Sequence, residues 1–273
     1  MNARAIAAEV ACSLTGAGIP DARFEAELLT RQAGVLDRAA YFAGAELSIA
    51  QERQLRALVE RRLRREPVAY LSGYREFYGL SFKVSPAVLI PRPETELLVE
   101  VALAELSGAA PRRVIDVGTG SGCVAVAVAA NAATVEVTGT DISAAALAVA
   151  QANARRHTPG VTFVRGYLVD AVGSADVIVA NLPYIPAADI SKLEPEVRDW
   201  EPRRALDGGP DGMSLIRALI QDCAARLRPR LLAMEVGFGQ AARVAQLGRT
   251  MGARAEVLRD LAGIERVVCL RWQ

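Results

Sequence analysis

Histidine and paired cysteine are what this chain most lacks. Its one histidine is His157, and its four cysteines, Cys12, Cys123, Cys223 and Cys269, lie far apart with no CxxC pair. That leaves no zinc-ligand grouping, so no metal is expected, and the cysteines read as buried free thiols in a reducing compartment. Net charge is also nearly missing, at +1 from 32 Lys and Arg against 31 Asp and Glu. A protein that coats nucleic acid carries a strongly basic field, so that class is disfavoured, although a local basic patch stays open. No uninterrupted apolar run reaches the roughly twenty residues of a membrane span. At the N-terminus Ile6, Val10 and Leu14 recur every four positions. That spacing predicts an amphipathic helix rather than a signal peptide, and a soluble cytoplasmic protein.

What is present is core-forming material. Hydrophobic residues are 52% of 273, enough for one catalytic domain with a small accessory domain and too many for wholesale disorder. Residues 1 to about 66 read as helical. Pro20 and Asp21 open a pattern with Phe24, Leu28 and Leu29, and the capping-box spacing Ser48-x-x-Gln51 starts a helix with Leu55, Leu58, Val59 and Leu63 on one face. Between Gln51 and Glu66 six arginines stand against three glutamates, either a solvated helix face or a docking surface for an acidic or RNA-associated partner. Tyr70, Tyr74, Phe77, Tyr78 and Phe82, interrupted by Gly73 and Gly79, predict a hairpin or connector that covers a pocket. Pro93, Glu94 and Glu96 then open a helix. From Arg113 onward, apolar strands alternate with helices, which implies a doubly wound α/β domain with its sheet buried on both faces. The last two strand runs, joined at Gly263, fit an antiparallel closing hairpin.

The first of these strands ends in Asp116-Val-Gly118-Thr-Gly120-Ser-Gly122 and leads into an apolar helix. Glycines there permit a sharp turn and close approach of a ligand. The next strand ends in Asp141, whose carboxylate suits ribose hydroxyls. The pattern also fits NAD, FAD or a plain tight connection. Gly-x-Gly-x-Gly spacing and the preceding Asp116, which would repel a pyrophosphate but hold an amino-acid end, favour S-adenosylmethionine.

The fourth strand, Asp176 to Ala180, runs into Asn181-Leu182-Pro183-Tyr184. An amide nitrogen is a poor nucleophile, and acceptors placed against its N–H groups aim it and favour the positive charge that develops on transfer. The Asn181 oxygen and the Leu182 carbonyl suit that task, Pro183 stiffens the turn and Tyr184 offers a flat surface. Taken alone, the tetrapeptide is equally a strand-ending turn.

Together these residues resemble the HemK/PrmC family, glutamine N5-methyltransferases of class I peptide-chain release factors. The stretch Tyr74 to Glu96 carries the likeness, with Asp116 to Gly122, Asp141 to Ser143, Glu196 to Pro202, Asp207 to Gly212, Glu235 to Gln240 and Asp260 to Trp272. The resemblance implies a helical substrate-recognition domain (1–72), a hairpin linker (73–91) and a seven-stranded, Rossmann-like class I methyltransferase domain (92–273). It implies that Asp116, Gly118, Thr119, Gly120, Ser121, Gly122, Asp141, Ile142, Tyr167, Leu168 and Asn181 bind S-adenosylmethionine. Phe77, Arg92 and Glu94 are expected beside Asn181, Leu182, Pro183 and Tyr184 on the substrate side, holding the glutamine of Gly-Gly-Gln in the release factor. Leu182 stands where the family has a proline, so some preorganisation of the turn is expected to be lost. Gly166-Tyr167-Leu168 replaces an acidic residue near the adenine, and Arg228-Pro-Arg230-Leu lacks a glycine pair, which predicts a shortened turn. Asn-Leu-Pro-Tyr also resembles ribosomal RNA adenine dimethylases, so N6-methylation of adenine in RNA or DNA is the alternative activity, and a non-enzymatic binding module is a third reading.

Overall fold

The computed structural model describes residues 1–107, 112–132 and 134–272; the rest of the expected 92–273 domain lies outside the described residues. In chain order the helices are α1 (Ala3–Gly16), α2 (Ala22–Gly34), α3 (Arg38–Phe42), α4 (Ile49–Leu63), α5 (Val68–Ser72), α6 (Glu96–Leu106), α7 (Cys123–Asn131), α8 (Ala144–His157), α9 (Pro195–Arg198), α10 (Ser214–Asp222) and α11 (Ala241–Thr250). The strands are β1 (Tyr74–Phe77), β2 (Leu80–Lys83), β3 (Arg112–Val117), β4 (Val135–Asp141), β5 (Thr162–Arg165), β6 (Val177–Ala180), β7 (Leu231–Glu235), β8 (Arg254–Arg259) and β9 (Glu265–Arg271). These fall into two compact units, Met1–Tyr74 with Glu194–Trp200, and Arg75–Leu193 with Glu201–Gln273. No described helix is long and apolar enough to cross a membrane.

In the first unit, local signals start the helices. The Asn2 side chain caps α1 by accepting from the backbone of Arg4 and Ala5, and Ser48 and Gln51 form the reciprocal capping box of α4. Ile6, Leu29, Leu55 and Leu58 share one buried cluster. Leu63, expected on that face, is exposed, as is Phe24. Arg62 is buried instead, its guanidinium donating to Glu25 at 2.6 and 3.2 Å and to Glu196 at 3.0 Å. Of the six arginines, Arg61 pairs with Glu66 and Arg65 with Glu196, so half of that basic run is neutralised within its own unit.

In the second unit, β1 and β2 make a tight hairpin through Tyr78 and Gly79, both with positive φ, as a two-residue primed turn requires. Glu96 accepts from the Tyr78 amide at 2.7 Å and holds that strained corner. Phe77 and Phe82 of the hairpin meet edge to face, ring centroids 6.0 Å apart, inside the core, while the connector that follows lines a cavity through Ala87, Val88, Leu89 and Pro91.

The main sheet has seven strands in the order β5-β4-β3-β6-β7-β9-β8, parallel from β5 to β7, with β9 antiparallel to both β7 and β8. The closing hairpin expected around Gly263 is β8–β9. Apolar residues fill both faces. Val114, Val124, Val128 and Val179 belong to one cluster with α6 and α7, and Ile115, Ile178, Ile216 and Val244 to the other with α10 and α11. Strand order reverses between β3 and β6, the topological switch point where open α/β sheets bind ligands. The turn before β7 is short, and Arg228 takes the left-handed conformation there in place of a glycine.

Removing one partner of a buried charge group strands the others. Arg62→Ala is expected to cost the first unit about 3–5 kcal/mol, read as a lower urea midpoint. A loss below about 1 kcal/mol would show that water already solvates Glu25 and Glu196.

Candidate active site

The switch point determines what faces what. In the β3–β6 ladder Val117 lies opposite Ala180, so the residues that follow, Gly118 and Asn181, leave the sheet side by side. A Cβ on Gly118 would stand 3.0 Å from the Leu182 side chain. Gly118, Gly120 and Gly122 all have positive φ, which is why this loop needs glycine. Thr140 O, at the end of β4, accepts from both Gly118 N and Thr119 N at 2.9 Å. Asp141 accepts from Gly120 N at 3.0 Å and from Ser143 N at 2.8 Å, tying the loop to the next strand.

Between loop and turn lies a cavity of about 420 Å³. Asp116, Gly118, Thr119, Gly120 and Ser121 line it with Asp141 and Ile142. Tyr167 and Leu168 contribute from beyond β5, and Asn181, Leu182, Pro183 and Arg92 complete the expected set. Four expected residues are not on its wall. Gly122 sits under α8, where a Cβ would meet Ala150 at 3.0 Å. Phe77 is in the core, 1% exposed, packed against Phe82. Glu94 is exposed at the first turn of the Pro93–Thr95 3₁₀ helix. Tyr184 lies beside the cavity, its hydroxyl 3.3 Å from Glu235 Oε1 and its ring against Gly237.

The acceptor turn is held from behind. Gln240 Nε2 donates to Tyr184 O at 2.9 Å while its Oε1 accepts from Gly237 N. A Cβ on Gly208 would stand 2.7 Å from Pro183 O, and one on Gly212 2.3 Å from Tyr184 O. Leu182 is 4% exposed and packs in the core. The flexibility expected from losing a proline is therefore offset by packing.

Two residues with no expected role join this turn. Asn181 Nδ2 donates to Thr95 Oγ1 at 3.0 Å, and Thr95 Oγ1 donates to Glu235 Oε2 at 2.6 Å. A lone carboxylate ending the apolar strand Leu231-Leu-Ala-Met-Glu235 was the available signal. Arg92 is ion-paired with Glu201, whose other oxygen accepts from Ile90 N at 3.1 Å.

Two carboxyls at the site are held above their ordinary pKa by burial. Burial pushes the Asp116 carboxyl up to about 6, with hydrogen bonds from Thr119 and Ala125 opposing and the Asp141 charge adding to the rise. Burial likewise raises Glu235, against hydrogen bonds from Thr95 and Tyr184 and the charge of Arg266. The Cys123 thiol on the cavity wall is pushed up to about 12 and is no nucleophile at neutral pH. Of the four cysteines only Cys12 is exposed.

Known proteins resemble this arrangement at two levels. A family model described as methyltransferase small domain matches residues 93–193, and one described as PrmC N-terminal domain matches residues 6–73. The release factor glutamine methyltransferase of Geobacter sulfurreducens is 43% identical over 92% of this chain and 90% of its own length. The protein of the same name from Moorella thermoacetica is 42% identical over 97% of both. Among solved structures, a methyltransferase from Pyrococcus furiosus superposes with a TM-score of 0.54 at 18% identity, over 81% of this chain and 98% of that one. The hMettl16 catalytic domain, solved with a MAT2A 3′UTR hairpin, gives 0.59 at 16% identity over 76% and 80%. These two show the fold alone.

An aspartate whose pKa rises on folding favours the folded state fully at pH below its unfolded value near 4, and that contribution is lost as pH rises through about 6. Asp116→Asn is therefore expected to stabilise the ligand-free protein at pH 8, on the order of 3 kcal/mol, with the gain vanishing toward pH 4. Denaturation midpoints at the two pH values check this, and equal midpoints at pH 8 would mean that Asp116 is solvated.

Proposed function

The chain belongs to the release factor glutamine methyltransferase family, and we propose that it transfers a methyl group from S-adenosylmethionine to the side-chain amide nitrogen (N5) of the glutamine in Gly-Gly-Gln of class I peptide-chain release factors. The protein partner is then a release factor and the compartment the cytoplasm. The helical first unit, whose residues 6–73 match the PrmC N-terminal model, is assigned to recognising that partner.

The observation that carries this reading is the Val117–Ala180 register, which sets the glycine loop beside Asn181, Leu182 and Pro183 on one cavity. The residues present fit the cofactor. Asp116 is a carboxylate on the wall whose pKa is raised by burial, and an ammonium group beside it would favour its ionised form. Asp141 ends β4 at the position suited to ribose hydroxyls, and Ile142, Tyr167 and Leu168 supply apolar surface for a planar base. When bound, S-adenosylmethionine supplies a methyl group on a positively charged sulfur.

On the acceptor side, Asn181 Nδ2 is committed to Thr95. Asn181 Oδ1 and the Leu182 carbonyl then accept the two N–H groups of the glutamine amide. Two acceptors on one nitrogen fix its direction and favour the positive charge it gains during transfer. No general base is needed before the methyl moves, because the nitrogen becomes acidic only once alkylated. The proton then leaves from that nitrogen toward the open side of the cavity. Leu182 and Pro183 keep the carbonyl in place, with Gly208 and Gly212 allowing the backbone behind them to approach.

Mass spectrometry of purified release factor after incubation with this protein and S-adenosylmethionine tests the proposal. One added methyl on the Gly-Gly-Gln glutamine is expected, and Asn181→Ala should lower turnover about 100-fold or more with cofactor affinity unchanged. An unmodified glutamine under conditions where cofactor binding is measured would overturn it.

A further inference from the structure

Asn181 is useful only in one of its two amide orientations: its oxygen, not its nitrogen, must face the substrate N–H. Nothing in Asn181 itself selects that orientation, since the two ends are nearly isosteric. Resting on the function proposed above, we infer that Thr95 and Glu235 are positioning residues, a carboxylate–hydroxyl relay that turns the Asn181 oxygen toward the glutamine amide.

The argument is one of donor and acceptor counting. A carboxylate at Glu235 only accepts. Its Oε2 takes the one Thr95 hydroxyl proton at 2.6 Å. The Thr95 oxygen, with its proton spent, can only accept from Asn181, and the atom 3.0 Å away is therefore Nδ2. Oδ1 is left for the cavity. The other carboxylate oxygen accepts from the Tyr184 hydroxyl at 3.3 Å, so both ends of the Asn181–Tyr184 turn hang from the same buried group. Thr95 is 2% and Glu235 2% exposed, so water does not compete for these bonds. Such a relay is directional, and a single wrong donor reverses it.

Protonation supplies that wrong donor. A neutral Glu235 donates to Thr95, which frees the Thr95 proton to point at Asn181 and turns its amide. The charged groups facing Glu235 are Arg266 from β9, which favours the carboxylate, and Glu94 from the Pro93–Thr95 turn, which opposes it; Tyr184 and Thr95 add their hydroxyls. Burial is the largest influence and raises its pKa, so the active orientation is present above that pKa and lost as pH falls through it.

The experiment compares wild type, Thr95→Val, Thr95→Ser and Glu235→Gln on release factor, with kcat and KM measured separately and cofactor affinity by calorimetry. Thr95→Val keeps the volume and loses the hydroxyl. It is expected to lower kcat about 100-fold while cofactor affinity stays at the wild-type value, which also shows that the variant folds. Thr95→Ser should restore most of the rate. In Glu235→Gln the acid limb of wild-type kcat, taken at saturating cofactor, should disappear and the rate stay low throughout. Wild-type kcat in Thr95→Val, or a Thr95→Ser variant as slow as Thr95→Val, would overturn the relay while leaving the function intact. A wild-type protein that binds cofactor and leaves the release factor unmodified would instead overturn the function on which the relay rests.

Discussion

Everything at this site depends on the pairing of β3 with β6. Two parallel strands that are far apart in sequence lie next to each other only because the order of the sheet reverses between them. Their register, Val117 against Ala180, then decides which residues of the two following loops meet. A one-residue slip would turn every side chain of β6 to the opposite face and would set Ile178 and Ala180 against the wrong core layer. Burial on both faces thus protects the register, and the register in turn brings a glycine loop and an oxygen-bearing turn to one cavity.

The acceptor turn illustrates how rigidity is obtained without a favourable residue. Proline limits a turn through its own ring. Leu182 has no such constraint, yet its side chain is buried against Gly118, and the backbone just beyond it is clamped by Gln240 and by close approach of the Gly208–Gly212 loop. These are long-range contacts that fix one backbone path by excluding the alternatives. They also explain the glycines at 208, 212 and 237, each at a spot where any side chain would strike Pro183 or the Tyr184 backbone or ring.

What was legible in the sequence follows the same division between local and distant causes. The capping box at Ser48 and Gln51, the glycine loop after β3 and the alternation of buried strands with helices are short-range patterns, and the structure contains them where the residues put them. Arg62 was not legible as a buried residue, because its partners Glu25 and Glu196 are brought to it by tertiary folding alone; a periodicity argument naturally chose Leu63. Phe77 is expected on the substrate side by resemblance, yet it packs in the core on a hairpin whose turn Glu96 holds. Thr95 and Glu235 are 140 positions apart, and only the sheet makes them neighbours.

The buried charges show where stability has been exchanged for function. In the first unit Glu25 and Glu196 are balanced by Arg62 and Arg65, so the group is electrostatically closed and serves the fold. Asp116 and Glu235 are different. Each is a carboxylate at the carboxyl end of an apolar strand, buried, with its pKa raised by desolvation and no cation hydrogen-bonded to it among the described residues. A buried acid in that state destabilises the empty protein, and packing alone would favour an apolar residue at either place. No cation faces Asp116 among the described residues, whereas Arg266 faces Glu235 and only partly offsets its burial. In the proposed reaction the cofactor would carry an ammonium group to Asp116, and the amide nitrogen would become positive beside the turn that Glu235 holds. Relief at Asp116 would serve binding, since the ammonium is there before transfer, and only the charge that develops on the amide nitrogen can be stabilised differentially.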